Sequence, residues 1–351
     1  MTVADLVVVG GGPAGAAVAW EAAAAGARVV LAHDGRAPWQ PVGQQLAPAA
    51  RAVLRRMGVD GRAAALARPV HGARSVWADP SAVDEASMLF NPYGPPWAVD
   101  RRVLDGLLRM AAREAGVRVV RARARAERAG GGGWRVAGLD DGPVPVPVVV
   151  DSTGASSAVS RGRLARRRAD RLRCTVWRIP AAEAGPQPWS LVEAVPYGWW
   201  YTAPGPAPGG DLTVLQVQGA GGRAPCVPPP HTAARLRCPG PLPRPAAERV
   251  ATVGRAAPPW APGLVAAGDA ALSVDPLSSS GLRHALELAR PAAHAALGLV
   301  DGDEAAAAGY AELVAGAFAR HLAERRAHHT AAAHYGREPF WRHRSTTGAG
   351  D

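Results

Sequence analysis

A glycine-rich segment near the start of the chain, "LVVVGGGPAG" at residues 6–15, most constrains the fold. Gly10, Gly12 and Gly15 follow an apolar run that is typical of a buried parallel strand. An alanine-rich stretch then predicts a helix, and a second apolar run at 29–32 predicts another strand. The segment therefore predicts a strand–turn–helix–strand unit of the kind that binds a dinucleotide.

Each glycine has a physical reason to be there. Gly10 permits the turn, Gly12 lets the backbone approach a pyrophosphate, and Gly15 allows close packing of the helix. The free amides of the first helical turn, which includes Pro13 and Ala14, attract the phosphate charge. These five residues form the predicted phosphate site.

The end of the second strand departs from the usual pattern. A carboxylate that binds the adenosine ribose commonly closes this strand, and here the position holds His33 with Asp34 beside it. Either side chain can hydrogen-bond a ribose hydroxyl. The sequence leaves both alternatives open.

Charge and composition narrow the class of partner. The net charge is +11, but all 40 basic residues are arginine, which indicates a codon bias toward GC-rich DNA rather than a function. The arginine-dense segment 161–173 can form a basic patch without any nucleic-acid motif, so we expect an acidic protein or peptide partner and no nucleic acid.

The sequence also predicts the cellular location of the protein. No apolar stretch is long enough for a membrane span, and the N-terminus enters the first strand directly, so we expect a cytoplasmic protein. Cys174, Cys226 and Cys238 show no metal-binding spacing, and they predict free thiols with no metal site.

Further elements can be predicted from local patterns. Residues 99–120 predict a helix followed by a strand, and the glycines at 130–133 predict a hairpin turn. Residues 143–157 predict a second edge strand that leads into a sharp turn. Alternating stretches over 172–218 indicate antiparallel strands, and the proline-rich segment 219–247 predicts an irregular loop.

A second motif lies late in the chain, "GLVAAGDAALSVDPLSSSGLRHALELARPAA" at residues 263–293. Its short apolar strand ends at Gly268 and Asp269. After a loop, a helix begins again at "SSSGL", residues 278–282.

The order of these motifs resembles that of a known family. The glycine loop, "RRVLD" (101–105), "VVDSTGASS" (149–157) and the late segment follow one another as in FAD monooxygenases of the p-hydroxybenzoate hydroxylase fold. With "GWWYTAP" (198–204) and "PFWRHR" (339–344), the chain is similar to the tryptophan halogenase-like branch. That branch includes flavoproteins that mature quinone-cofactor amine oxidases.

The resemblance implies an α/β fold with a Rossmann-type FAD-binding domain, an inserted antiparallel-sheet substrate domain and C-terminal helices. It predicts a discontinuous FAD-binding domain formed by residues 1–75, 98–160 and 250–300. The substrate domain is predicted at 76–97 and 161–249, and a C-terminal helical segment at 301–351.

The resemblance also implies which residues hold the cofactor. The predicted FAD site consists of Gly10, Gly12, Pro13, Ala14, Gly15, His33, Asp34, Gln44, Gln45, Arg101, Thr153, Gly154, Gly268, Asp269, Pro276, Ser279, Ser280, Gly281 and Leu282. Asp269 would accept hydrogen bonds from the ribityl chain or from a water on the pyrophosphate. Backbone amides at 279–282 would stabilise negative charge on the reduced flavin. Gln44 and Gln45 stand where relatives carry a different polar pair.

Two aromatic residues and one carboxylate are predicted on the substrate side. Trp199 and Tyr201 are candidate walls of the substrate cavity, although alternating aromatics in a strand are also typical of a core. Asp275 is the candidate catalytic group that would orient substrate or assist proton transfer, and a purely structural role at the helix start is the alternative. O2 and reduced FAD would form a flavin hydroperoxide that transfers oxygen.

The source of electrons and the reaction type follow from what the sequence lacks. The chain has no second dinucleotide motif, so NAD(P)H would bind transiently or a separate reductase would supply reduced flavin. Relatives that halogenate use a lysine, and this sequence contains none. We therefore expect an FAD-dependent monooxygenase that hydroxylates an aromatic small molecule, or a tryptophan held in a peptide or on a carrier. An FAD oxidase or dehydrogenase and a non-catalytic flavin-binding partner are the alternatives.

Overall fold

The computed structural model describes residues 4–35, 45–88, 90–130, 132–140, 142–180, 188–206 and 210–346. Its strands, in chain order, are β1 Leu6–Val9, β2 Val29–His33, β3 Gln45–Leu46, β4 Arg68–Pro69, β5 Gly72–Val76, β6 Asp84–Ser87, β7 Trp97–Ala98, β8 Arg118–Arg121, β9 Arg125–Arg128, β10 Trp134–Ala137, β11 Val144–Val146, β12 Val148–Asp151, β13 Arg166–Ile179, β14 Trp189–Val195, β15 Gly198–Pro204, β16 Leu212–Gly219, β17 Ala247–Ala256, β18 Trp260–Ala261, β19 Leu264–Ala266 and β20 Leu272–Ser273.

Helices alternate with these strands in the first half of the chain and dominate its end. They are α1 Pro13–Ala24, α2 Arg51–Arg56, α3 Asp60–Ala65, α4 Arg101–Glu114, α5 Pro230–Leu236, α6 Gly281–Glu287, α7 Ala289–Val300, α8 Ala305–Ala331 and α9 Pro339–Thr346. Short 3-10 turns lie at Pro48–Ala50, Gly154–Ser156, Gly268–Ala270, Pro276–Ser278 and Ala333–Tyr335. Within the described ranges, no helix combines the length and the apolar character needed to cross a bilayer.

A sheet in the order β18-β19-β12-β1-β2-β8 carries the glycine loop. All its neighbouring strands are parallel except β18 and β19. All four residues of β1 are buried, because the sheet is covered on both faces, as parallel sheets generally are. The predicted strand–turn–helix–strand unit at the start of the chain is confirmed.

The prediction of an edge strand within 143–157 is confirmed for β11 and wrong for β12. β12 lies between β1 and β19 in the interior of the parallel sheet. Its four residues are all buried, which suits a strand with partners on both sides. Pro145 lies on β11, the edge strand of a separate three-stranded sheet β11-β10-β9, where a residue without an N–H is tolerated. β9 and β10, which flank the hairpin turn predicted at 130–133, pair antiparallel, as expected; Gly131 in that turn lies outside the described residues.

A second large sheet has the order β20-β17-β13-β16-β15-β14-β5-β6, and a small one the order β3-β7-β4. The strands predicted over 172–218 are antiparallel, as expected. β5 and β17 both belong to the eight-stranded sheet and extend across predicted domain boundaries near 75 and 250. Those boundaries stay predictions.

The segment 219–247 is not wholly irregular, because it contains α5. Pro230 stands at the first position of this helix, where its fixed backbone angle suits a helix start. Glu193 of β14 accepts hydrogen bonds from the amides of His231 and Thr232 at 3.1 and 2.7 Å, so a carboxylate from a distant strand caps the helix. The prediction of an irregular loop is therefore wrong for residues 230–236, because proline is also typical of a helix start.

The C-terminal helices close the structure over the larger sheet. α8 lies in the C-terminal segment 301–351 that was predicted to be helical, and it includes "HLAERRAHH" at 321–329. The indole nitrogen of Trp341 in α9 donates to Val195 O at 2.8 Å, and that of Trp77 donates to His328 O at 2.6 Å. These buried contacts attach the end of the chain to the sheet.

Candidate functional site

The three glycines of the first loop have different surroundings. A Cβ added to Gly10, whose φ is +111°, would lie 2.3 Å from Ser152 O, and one added to Gly15 would lie 1.9 Å from Gly10 O. A Cβ on Gly12 would meet no atom within 4 Å. Gly10 and Gly15 are therefore needed for packing, whereas Gly12 borders open space at the first turn of α1.

The end of β2 faces the same loop. A Cβ on Gly11 would lie 2.6 Å from the Cβ of His33, which is half-buried. Burial, and then the charge of Arg109, lower the pKa of His33, so its imidazole is neutral at pH 7. Asp34 is exposed beside it. Arg109 donates to Gly11 O at 2.8 Å, a contact that no sequence motif indicated.

The "DSTG" turn is fastened to the glycine loop by side chains. The Thr153 hydroxyl and Ser160 hydroxyl donate to the two oxygens of buried Asp151 at 2.7 and 2.6 Å. The Ser152 hydroxyl lies 2.8 Å from Gly10 O. Gly154 has φ +68° and open space where a Cβ would be. Sequence reasoning missed Asp151, although a carboxylate ending a strand before serine and threonine is a typical turn signal.

Asp269 lies close to the same loop. Gly268 has φ +59°, and a Cβ there would lie 2.7 Å from the Cβ of Ala14 in α1. The Asp269 side chain is exposed to solvent and borders the space beside α1 that we call the recess; desolvation by the surrounding atoms raises its pKa, and the charges of Arg101 and Arg166 oppose this shift. The structure thus brings Arg101 and the Gly268–Asp269 turn to the recess beside α1.

The segment Asp275–Gly281, here called the 275–281 loop, is the next predicted part of the site. Asp275 is 1% exposed, and its carboxylate accepts from Leu277 N at 3.0 Å and from Arg325 Nε at 2.7 Å. Its own amide donates to His321 Nε2 at 3.0 Å. Ser279 has φ +48°, a left-handed conformation that is uncommon for a residue with a side chain. Asp275 holds the start of the loop.

Arg325 connects this loop to distant elements. It also binds Asp170 on β13, and Arg344 of α9 donates to the two oxygens of Asp170 at 2.6 and 2.8 Å. We call Asp170, Asp275, Arg325 and Arg344 the carboxylate–arginine network. Its two acids and two bases balance in charge, as buried ionic groups must.

Tyr201 and Trp199 project from the same face of β15, with Trp200 on the opposite face stacked on Trp177. Trp199 is only 1% exposed and is enclosed in the core. The Tyr201 hydroxyl faces Ser279 and Ser190 but reaches hydrogen-bond geometry with no described residue. Burial raises the pKa of Tyr201 to about 12, so it remains protonated at neutral pH.

The remaining predicted residues lie around the 275–281 loop. Pro276 opens its 3-10 turn, and Ser280, Gly281 and Leu282 stand at the start of α6, which packs against α1 and the 268–270 turn. Gln45 is on β3, which also contacts α6. Its side-chain nitrogen is buried and has no partner among the described residues. Gln44 lies outside the described residues.

The comparison with known families decides the classification. The tryptophan halogenase family model matches residues 64–351. The chain belongs to the tryptophan halogenase family. The resemblance drawn from the sequence motifs is confirmed, and the parallel sheet, the antiparallel sheet and the C-terminal helices confirm the predicted fold class. No match was found among the curated proteins.

Solved structures share the fold of this tryptophan halogenase family member. The peptidyl tryptophan dihydroxylase QhpG, essential for tryptophylquinone cofactor biogenesis, is 23% identical, covers 100% of this chain and 81% of its own, and has a TM-score of 0.76. A flavin-dependent brominase is 20% identical over 96% of this chain and 91% of its own, with a TM-score of 0.77. The p-nitrophenol 4-monooxygenase PnpA from Pseudomonas putida is 17% identical over 99% and 90%, with a TM-score of 0.73. At these identities the likeness establishes the fold alone.

The residues of the recess fit the FAD that this family implies. Gly12 leaves open space at the N-terminus of α1, where a pyrophosphate would approach backbone amides. Gln45 offers a buried nitrogen that lacks a partner among the described residues beside α6. Arginines at 101, 109 and 166 surround the recess and suit an anionic cofactor.

Proposed function

We propose that this member of the tryptophan halogenase family is an FAD-dependent monooxygenase that hydroxylates an aromatic substrate. The observation that carries the proposal is the convergence of the glycine loop, the Gly268–Asp269 turn and α6, which are far apart in sequence, around one recess. The recess holds a pyrophosphate-type site at one end. The 275–281 loop and Tyr201 lie at the other.

The residues of the nucleotide half bind and orient FAD. Gly12 would let the pyrophosphate approach the first-turn amide of Ala14, with Pro13, which has no N–H, fixing the start of the helix, and His33 or Asp34 would bind the ribose. The neutral His33 can either donate or accept a hydrogen bond. Asp269 would hydrogen-bond the ribityl chain or a pyrophosphate-bound water.

The residues of the flavin half shape the reaction site. Bound FAD, once reduced, supplies the activated oxygen that aromatic hydroxylation needs. Because both oxygens of Asp275 are already bonded, we assign it to positioning the 275–281 loop, and its role in proton transfer stays a prediction. Tyr201 presents a protonated hydroxyl to the substrate side, and Trp199 supports it from the core.

The absence of lysine favours direct oxygen transfer over halogenation. The lysine that halogenating relatives use has no counterpart, because the sequence contains no lysine at all. An arginine does not replace it readily, since its guanidinium stays charged and binds as a planar donor. Electrons would come from transiently bound NAD(P)H or from a reductase that supplies reduced flavin.

Isotope labelling tests the proposal. The purified protein would be loaded with FAD, reduced without oxygen, and then mixed with labelled O2 and either free aromatic compounds or tryptophan-containing peptides. We expect one labelled oxygen atom in the product, with no effect of chloride or bromide. A halide-dependent product contradicts the monooxygenase, loss of two hydrogens with peroxide release identifies an oxidase, and bound FAD without turnover identifies a non-catalytic partner.

A further inference from the structure

A groove with a volume of about 780 Å³ lies outside the recess just described. The Pro48–Ala50 turn, α2 and α3 form one wall, and residues 92–97 form the other; we call it the α2–α3 groove. Trp97 lines it, and Tyr93, which is 75% exposed, stands at its rim. An open aromatic groove of this size suits an extended chain segment.

The charge of the α2–α3 groove is positive. Arg51 and Arg55 lie one helical turn apart on α2, and both line it. The Arg51 guanidinium stacks 4.3 Å from the Trp97 ring centre and donates to Pro95 O. Within the described part of the chain neither arginine forms an ion pair, although Asp60 of α3 lines the same wall. The groove therefore presents a net positive charge.

The α2–α3 groove adjoins the site proposed for FAD. Its Pro48–Ala50 turn packs against α6, which begins at the end of the 275–281 loop. Its residue Trp97 lies on β7, which pairs with β3 and thereby with Gln45. A segment bound in the groove is separated from the proposed flavin site by little more than this layer of backbone.

We propose that the α2–α3 groove docks an acidic segment of a protein substrate, the segment that flanks the aromatic residue to be oxidised. This inference rests on the proposed function. The arginines supply charge complementarity, and Tyr93 and Trp97 supply flat apolar surfaces for the peptide. A protein substrate is thus held by contacts remote from the residue that reacts, which a free aromatic molecule does not make.

Peptide binding to the oxidised, FAD-loaded protein tests the proposal without turnover. The probes are fluorescein-labelled peptide pools with a central tryptophan flanked by Asp and Glu, by Gly and Ser, or by Arg. We expect the acidic pool to bind tightest and its affinity to fall as salt rises, because the attraction is screened. Equal binding of the acidic and neutral pools overturns the proposal.

Matched variants locate the binding. Arg55→Glu should weaken binding of the acidic pool by about tenfold, whereas Arg178→Glu, the same charge change at an exposed site on β13, should leave it within about twofold. Tyr93→Ala should weaken it, and Phe90→Ala, which removes a 92% exposed aromatic ring that does not line the groove, should not. Equal losses in Arg55→Glu and Arg178→Glu, or equal competition by a single-stranded oligonucleotide, overturn the proposal.

Two controls separate this inference from the proposed function. Circular dichroism checks that each variant is folded, and Arg55→Ala replaces Arg55→Glu if the reversal unfolds the chain. Peroxide release by the reduced protein with O2 should be unchanged in Arg55→Glu, because Arg55 is not in the recess. Oxygen transfer to a free aromatic compound without selective peptide binding contradicts the docking site alone. Docking without oxygen transfer contradicts the monooxygenase instead.

Discussion

The glycine loop and the 275–281 loop border the same recess but are held in different ways. The glycine loop is fixed by its own backbone and by the neighbouring strands, with Gly10 and Gly15 packed tightly against main-chain atoms. The 275–281 loop is fixed by side chains from β13, α8 and α9 through the carboxylate–arginine network. The difference teaches that one half of the site depends on local geometry and the other on long-range ion pairs.

The largest expected effect is in the glycine loop. Gly12→Val should abolish FAD retention while leaving the fold intact, because its side chain enters open space that only the cofactor would fill. The absorbance spectrum of the purified variant measures bound flavin, and circular dichroism measures folding. Gly15→Val is the contrasting control, since its side chain would collide with Gly10 O and disturb the fold itself. Normal FAD occupancy in Gly12→Val would contradict the assignment of this loop to pyrophosphate binding.

Arg325→Met should have the next largest effect, this time on stability. It leaves the buried Asp275 carboxylate without its charged partner and Asp170 with Arg344 alone, and breaking a buried pair in this way costs about 3–5 kcal/mol. Urea unfolding measures the loss. Arg320→Met, an exposed position on the same helix, is the matched control and should be close to neutral. An unchanged free energy of unfolding in Arg325→Met would mean that the conformation of the 275–281 loop does not depend on the carboxylate–arginine network.

The contrast between the two loops explains how much the sequence predicted. The reasons for Gly10, Gly12 and Gly15 are local, so spacing alone predicted the turn and the helix after it. The network escaped prediction because Arg325 and Asp170 are 155 positions apart and share no periodic pattern. α5 was missed for a related reason, since Glu193, which caps it, comes from a distant strand.

Strand placement shows the same limit. The valines of β12 predicted a strand correctly, but its place in the middle of the sheet depends on β19, which follows more than a hundred residues later. The order in which distant strands pair is a property of the whole sheet, so local residues indicate that β12 is a strand but not that it is an interior one. The contact of Arg109 with the glycine loop could not be predicted either, because its partner is a backbone oxygen that carries no sequence signal.

A pH dependence follows from Asp170. Burial favours a raised pKa, but hydrogen bonds from Arg344 and the charge of Arg325 outweigh it and hold the pKa of Asp170 below its ordinary value. A lowered pKa gives stability that is present above the unfolded value of about 4 and is lost as pH falls through the folded value. Urea midpoints should therefore drop steeply below about pH 4, and Asp170→Asn should flatten that slope. An unchanged slope would show that other carboxylates cause the acid sensitivity.

The pKa of Asp269, in the nucleotide half of the site, shifts in the opposite direction. Burial raises its pKa, so its favourable contribution to folding is present at low pH and is lost as pH rises through the folded pKa. Asp269→Asn should thus slightly raise the melting temperature of the FAD-free protein at pH 7 while weakening FAD binding about tenfold or more, by removing a charged hydrogen-bond acceptor. Thermal unfolding and FAD titration measure the two effects. A variant that loses stability, or that binds FAD as tightly as the parent, would place Asp269 among the structural carboxylates with Asp170.

The smallest expected effect comes from Tyr201, which lies beside the 275–281 loop on the substrate side of the site. Its hydroxyl has no hydrogen-bond partner among the described residues, so Tyr201→Phe removes no native bond and should change the free energy of unfolding by less than about 1 kcal/mol. FAD occupancy should also stay unchanged, because the ring that packs against the core is kept. If the hydroxyl binds substrate, KM should rise while the rate of flavin reoxidation without substrate does not. Since the pKa of Tyr201 is raised to about 12 by burial, this difference in KM should not vary between pH 6 and about 9. A large loss of stability would instead mean that the hydroxyl supports the 275–281 loop through Ser279. Tyr201 would then have a structural role, like the carboxylate–arginine network, and would not bind substrate.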